Sequence, residues 1–272
     1  FSHLITILIK KRRMSTKKIN IFTKPIALFL FLVYKCIVSI MINTYSESQL
    51  HKELKNLYAT KYKGKTEQSV MGKICDILTK EGHIIEIQTQ NLGKLTNKIA
   101  IFTSKYPVRI VYPLVIKKTI ETFSPEGDLL SKRQSPKKQN INCIFKELTS
   151  LYPFLLGKGL VLEILETSIT EIRIKTSTVI QLENKSRRYK KEWYKKDKKL
   201  TQIHSTYTFE TEKDYLALFP KNLPAEFSAQ DLCSLGVGKE AHCMIWVYKR
   251  MGLIEFTEKK GRRNYFRLTS KK

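Results

Sequence analysis

The stretch GKICDILTKEGHIIEIQT, residues 72–89, decides how this chain is read. Two apolar runs each hold one acid: Asp76 within Ile74–Leu78 and Glu86 within Ile84–Gln88. The KEG triplet at 80–82 is a short turn, so residues 70–79 and 83–89 are expected to form two hairpin-linked strands. A carboxylate in a buried run has to be paired or hold a cation. Two carboxylates on adjacent strands suit one hard cation, with the Ile87 carbonyl as a third oxygen and the remaining positions left to water and a phosphate oxygen. Gln88 leaves its strand on the same face as Glu86. The plainer alternative is that strand alternation turns Glu86 and Gln88 toward water.

Around this hairpin the pattern is ordered. Leu50, Leu54 and Leu57 recur at helical spacing in SESQLHKELKNLYAT, with Ser46 as the expected N-cap. After the hairpin, NLGKLTNKIAIFTSKYP reads as a helix stopped by Pro107. VRIVYPLVI, residues 108–116, is apolar apart from Arg109 and fits a buried central strand. Residues 117–134 read as a hairpin around SPEGD, 135–140 as a loop, 141–156 as a helix and 160–166 as a strand.

The order helix, strand, strand, helix, strand, with Asp76 and Glu86 on the strand pair, resembles the core of the PD-(D/E)XK nuclease superfamily, in particular Holliday-junction resolvases and restriction-endonuclease-like proteins. The segments IIEIQT (84–89) and VRIVYP (108–113) also resemble a prokaryotic family that joins such a core to a C-terminal winged helix. The resemblance covers residues 45 to 116. It implies a restriction-endonuclease-like α/β (α+β) core with a central mixed sheet flanked by helices. It further implies Mg²⁺ or Mn²⁺ held by Asp76 and Glu86, and Glu47 as the N-terminal glutamate on the first helix. Gln88 stands where the family carries lysine; it hydrogen-bonds water but brings no charge. Members that move this lysine place it on the next helix, where Lys94 and Lys98 are the candidates and Lys98 is preferred. His51 and His83 are read as lone, non-functional histidines.

Fifty Lys and Arg stand against 24 Asp and Glu, a formal charge of +26. This balance concerns partners, and a polyanion fits it. DNA is the first expectation and RNA the second. The tract 185–199 interleaves Arg187, Arg188, Lys190, Lys191, Lys195 and Lys196 with Tyr189, Trp193 and Tyr194, a pattern suited to phosphates and unstacked bases. From Tyr207 onward, two short helices, a longer helix KEAHCMIWVYKRMG and a basic hairpin around EKKGRRN follow the order of a winged helix-turn-helix. Ser228 is the expected N-cap of the second helix. Ala241, Met244, Ile245, Tyr248 and Met251 form the expected inward stripe. Lys239, Lys249, Arg250, Lys259, Lys260, Arg262 and Arg263 are the expected phosphate contacts.

Five cysteines without a CxxC pair fit a reducing, cytoplasmic compartment. Residues 1–40 are read as an upstream extension outside the fold with Met41 as the start, the alternative being a membrane anchor over 26–42; contact with a membrane is expected only in that case. The expected division is a nuclease-like domain at 41–170, a basic connecting segment at 171–206 and a winged helix at 207–272. The expected function is metal-dependent hydrolysis of DNA phosphodiesters by Asp76, Glu86 and Gln88, helped by Glu47 and Lys98. A homodimer is compatible with such a nuclease. The alternative is a non-catalytic DNA-binding protein on an inactive nuclease core.

Overall fold

The computed structural model describes residues 47–181 and 190–269. Contacts divide the chain into Phe1–Glu47 and Ser48–Lys272, and the account below concerns the second unit. The readings of residues 1–40 and 26–42, and those of Arg187 and Arg188, fall outside the described residues.

Helix α1 spans Gln49–Lys61. Its N-cap is Ser48, not Ser46: the Ser48 hydroxyl accepts from the His51 N–H. Leu50, Leu54 and Tyr58, four apart, form the buried stripe, whereas Leu57 is exposed. At 100° per residue the stripe continues through 58, and the ring of Tyr58 takes the place expected for Leu57. Strand β1, Lys65–Val70, was not expected, because KTEQSV carries no apolar alternation and only Val70 is buried. It pairs antiparallel with β2, Lys73–Leu78, as the sheet's edge. The expected hairpin joins β2 to β3, Ile84–Ile87, through a turn closed by the Thr79 N–H on the His83 carbonyl (2.9 Å).

Residues 92–102 form a 3₁₀ turn, Leu92–Leu95, leading into α2, Thr96–Phe102. Strand β4, Val108–Phe123, lies parallel to β3, and its outer half folds back through a hairpin onto β5, Leu129–Gln134. Pro113 sits in mid-strand at no cost to the ladder. Val111 offers its carbonyl to the Gln88 N–H (2.9 Å), so Pro113, two residues on, faces the same edge beyond the end of β3. A second 3₁₀ turn, Ile141–Ile144, and α3, Phe145–Leu151, precede β6, Leu160–Gln181, which runs parallel to β4.

Strand β7, Lys190–Phe209, pairs antiparallel with β6. The expected connecting segment at 171–206 is therefore strand on both sides of residues 182–189, and belongs to the sheet. The result is an α+β arrangement around a seven-stranded mixed sheet in the order β1-β2-β3-β4-β6-β7, with β5 on β4. Two apolar clusters cover it. One joins α1 to Ile77, Ile85, Ile87, Val111 and Leu165. The other joins α2 and α3 to the sheet and to the C-terminal residues Tyr215, Leu232, Met244 and Tyr248.

Those C-terminal residues lie on α4 (Glu212–Leu216), α5 (Ala229–Leu232) and α6 (Ala241–Arg250), ahead of the hairpin β8 (Ile254–Lys260) and β9 (Arg263–Leu268). Ser228 caps α5 as expected, in a capping box with Asp231. Ala241, Met244, Ile245 and Tyr248 are buried as expected, and Val247 joins them. Met251 packs at the margin of that cluster. Gly252, at φ 74°, ends α6, and Gly261, at φ 60°, turns the hairpin; side chains rarely adopt either conformation. The Tyr248 hydroxyl donates to the Tyr215 carbonyl, and Phe145 meets the Tyr248 ring edge-on at 5.1 Å. Among the described residues, no helix is long and apolar enough to cross a membrane.

Candidate functional site

The hairpin register makes Asp76 and Glu86 direct opposites. Ile77 pairs with Ile85 and Leu78 with Ile84, and there the ladder stops. One step further the strands part, and each carboxylate accepts from the other strand's backbone. Asp76 Oδ2 accepts from the Ile87 N–H (2.8 Å), and Glu86 Oε1 from the Asp76 N–H (3.3 Å). The acids thus take over donors that the ladder has released. Both lie where β3 ends beside the first residues of β4, which runs on past them to Phe123.

One helix on each face of the sheet reaches this point. From α2, Lys98 Nζ meets Glu86 Oε2 at 2.7 Å; the Glu86 side chain is 2% exposed and that of Lys98 24%. From α1, His51 Nε2 donates to the Ile87 carbonyl (2.8 Å) and lies 3.4 Å from Asp76 Oδ2. The environments push the two acids apart. Burial, then the nearby Asp76 charge, raises the Glu86 carboxyl from 4.5 to about 7 against the pull of Lys98. Burial also works to raise Asp76. The His51 hydrogen bond and charge, the Lys98 charge and the Ile87 N–H outweigh it, and hold Asp76 below its ordinary value.

Of the residues singled out from sequence, the structure brings Asp76, Glu86 and Lys98 together. Lys94 is exposed on the 3₁₀ turn. The Gln88 amide donates to the Gln90 and Asn91 carbonyls, so it braces the loop after β3 and does not serve the carboxylates. Glu47 is not on the helix; it precedes the Ser48 N-cap. The helix residue that reaches Asp76 is His51, set aside in the sequence as a lone histidine. Its signal was its place in the first turn of α1, legible only once that turn is set over the end of β3. Glu53 ties α1 to β7 by accepting from the Leu200 N–H (2.7 Å).

The chemistry of the donors fits a hard cation. Two carboxylates and the Ile87 carbonyl are oxygen ligands of the kind Mg²⁺ takes along with several waters. Among the described residues there is no group of three or more His, Cys, Asp or Glu able to hold a metal. His51 Nε2 now stands beside two of these oxygens, donating to the Ile87 carbonyl and lying 3.4 Å from Asp76 Oδ2. The basic residues Lys190, Lys191, Lys195 and Lys196 are exposed on β7, as are Lys239, Lys249, Arg250, Lys259, Lys260, Arg262 and Arg263 around α6 and the β8–β9 hairpin.

Comparison with known proteins yields a family. An uncharacterized protein of Treponema pallidum (strain Nichols) is 28% identical over 230 residues, covering 83% of this chain and 87% of that protein. No solved structure matches the chain significantly. The model of a domain of unknown function, DUF8091, matches residues 48–210, from the cap of α1 to the residue after β7, and so takes in the sheet and both carboxylates. The chain belongs to the DUF8091 family.

Proposed function

We propose that this chain is a metal-dependent phosphodiester hydrolase acting on nucleic acid, with DNA as the first substrate, on a PD-(D/E)XK-type core. One observation carries the reading: Asp76 and Glu86 face each other where β2 and β3 part, with Lys98 Nζ 2.7 Å from Glu86. Asp76, Glu86 and the Ile87 carbonyl would hold Mg²⁺ or Mn²⁺. When bound, such an ion would supply polarisation of the phosphoryl group and a lower pKa for an attacking water. Lys98, not Gln88, takes the lysine's role: its ammonium orients the water and offsets charge growing on the phosphate. Water adds to phosphorus, the P–O bond to the leaving nucleotide breaks, and the leaving oxygen takes up a proton. His51 holds the Ile87 carbonyl by its hydrogen bond and lies against Asp76.

The order α5, α6, β8, β9 supports a winged-helix reading of the C-terminal part, and its exposed cations fit phosphate contacts. A second reading, a non-catalytic DNA-binding protein, is favoured by the Gln88 amide, which is committed to its loop. The deciding experiment offers linear, supercoiled, branched and single-stranded DNA, and RNA, to the full chain with Mg²⁺, Mn²⁺ or EDTA. Cleavage that needs metal and is lost in Asp76→Asn, Glu86→Gln and Lys98→Met establishes the hydrolase. Binding without cleavage on every substrate establishes the second reading.

A further inference from the structure

A groove of about 410 Å³ runs between α6 and the β8–β9 hairpin, within the roughly 300–1,000 Å³ of ligand pockets. Its lining includes buried Ile245 and Phe266 and exposed Trp246, Lys249, Arg262 and Arg263. The three cations make no ion pair with a carboxylate among the described residues. The neighbouring acid, Asp231, is committed to the cap of Ser228, with both the Ser228 N–H and hydroxyl donating to it. Trp246 lies in the middle of the outward stripe of α6, between exposed His242 and Arg250, and is 41% exposed. It is not a loose side chain. Tyr152, just past α3, meets it edge-on at 5.2 Å, and Arg250 lies 5.4 Å from its ring centre.

A helix that reads a duplex presents polar side chains to base edges. An indole in that stripe offers an exposed aromatic surface beside the Arg250 guanidinium, and a base can stack there only when it has left its neighbours. Cations on both walls around a fixed aromatic match a phosphate backbone with an exposed base.

We infer that this groove binds single-stranded nucleic acid, stacking one unpaired base on Trp246 while Lys249, Arg262 and Arg263 hold the flanking phosphates. The inference stands apart from the carboxylate site, and its test is run in EDTA so that the failure of one leaves the other untouched. The full chain contains two tryptophans, Trp193 and Trp246. In a Trp193→Phe background the fluorescence reports Trp246 alone. Oligo-dT, oligo-U and a duplex of equal length are titrated at several salt concentrations. The expected result is quenching by the single strands, with affinity falling about 5- to 100-fold in Trp246→Leu and kept in Trp246→Tyr, read by anisotropy of labelled oligomer. Arg262→Ala and Arg263→Ala each lower the salt slope by about 0.7. The dT and U arms tell DNA from RNA. The inference is overturned by absent quenching, by tighter binding of the duplex, or by a Trp246→Leu protein that melts normally and binds single strands as before.

Discussion

Replacing Lys98 by Met tests whether Glu86 is held as a charged group against its surroundings. Met keeps the apolar stem beside the Phe102 ring, where the Lys98 ammonium lies 5.8 Å from the ring centre, and removes only the charge. Breaking a fully buried pair costs about 3–5 kcal/mol, but here protonation offers an escape. Glu86 titrates near 7 in the folded protein, against 4.5 when unperturbed. A raised carboxyl stabilises the fold below its unfolded value, and that stabilisation is lost as pH rises through about 7. Without Lys98 the folded protein need only take up a proton, at about 1.36 kcal/mol per pH unit above 7. The expected loss is therefore near zero at pH 5.5, about 1 kcal/mol at pH 8 and about 3 kcal/mol at pH 9. Urea unfolding of the metal-free full chain at the three pH values measures it. In a Glu86→Gln background the same replacement should show no pH-dependent cost. An equal loss at pH 5.5 and pH 9, or a pH-dependent loss that survives Glu86→Gln, refutes the reasoning.

Other outcomes follow from the same geometry. Mn²⁺ at about 100 times its Kd should stabilise the protein by about 2.7 kcal/mol. The gain in melting temperature should be larger at pH 8 than at pH 5.5, because Glu86 must ionise to bind, and it should vanish in Glu86→Gln. Arg109→Ala leaves the buried Glu163 carboxylate with Tyr58 alone; the expected loss is about 3 kcal/mol by urea unfolding, with Tyr58→Phe costing about 1 kcal/mol. Tyr248→Phe, which leaves the Tyr215 carbonyl with the Leu218 N–H, should cost about 1 kcal/mol in the same assay. In both tyrosine variants an unchanged midpoint would count against the hydrogen bond.

The parts of the fold legible in the sequence were those where burial writes a pattern. IIEI, VRIVYPLVI and LVLEIL are continuous apolar runs, and they became the central strands β3, β4 and β6. β1 was not legible because an edge strand with one buried residue needs no apolar alternation. β7 read as a linker because its first half is dominated by lysines; its place is set by pairing with β6. In the site, the opposition of Asp76 and Glu86 followed from the hairpin alone. Lys98 was already preferred to Lys94 in the sequence, whereas His51 needed the placing of α1, which spacing within one segment does not contain.

The mutual capping of β2 and β3 by their acids has a consequence for how relatives are judged. Asp76 and Glu86 each close a backbone donor that the parting strands leave open, so the architecture calls for an acceptor at both positions whether or not a reaction takes place. A lineage that gave up hydrolysis would still gain from keeping these two side chains. The acids therefore make a poor mark of a working enzyme. In a relative that does not hydrolyse, the residue free to drift is the lysine, whose departure opens no backbone donor and leaves a proton to take its place.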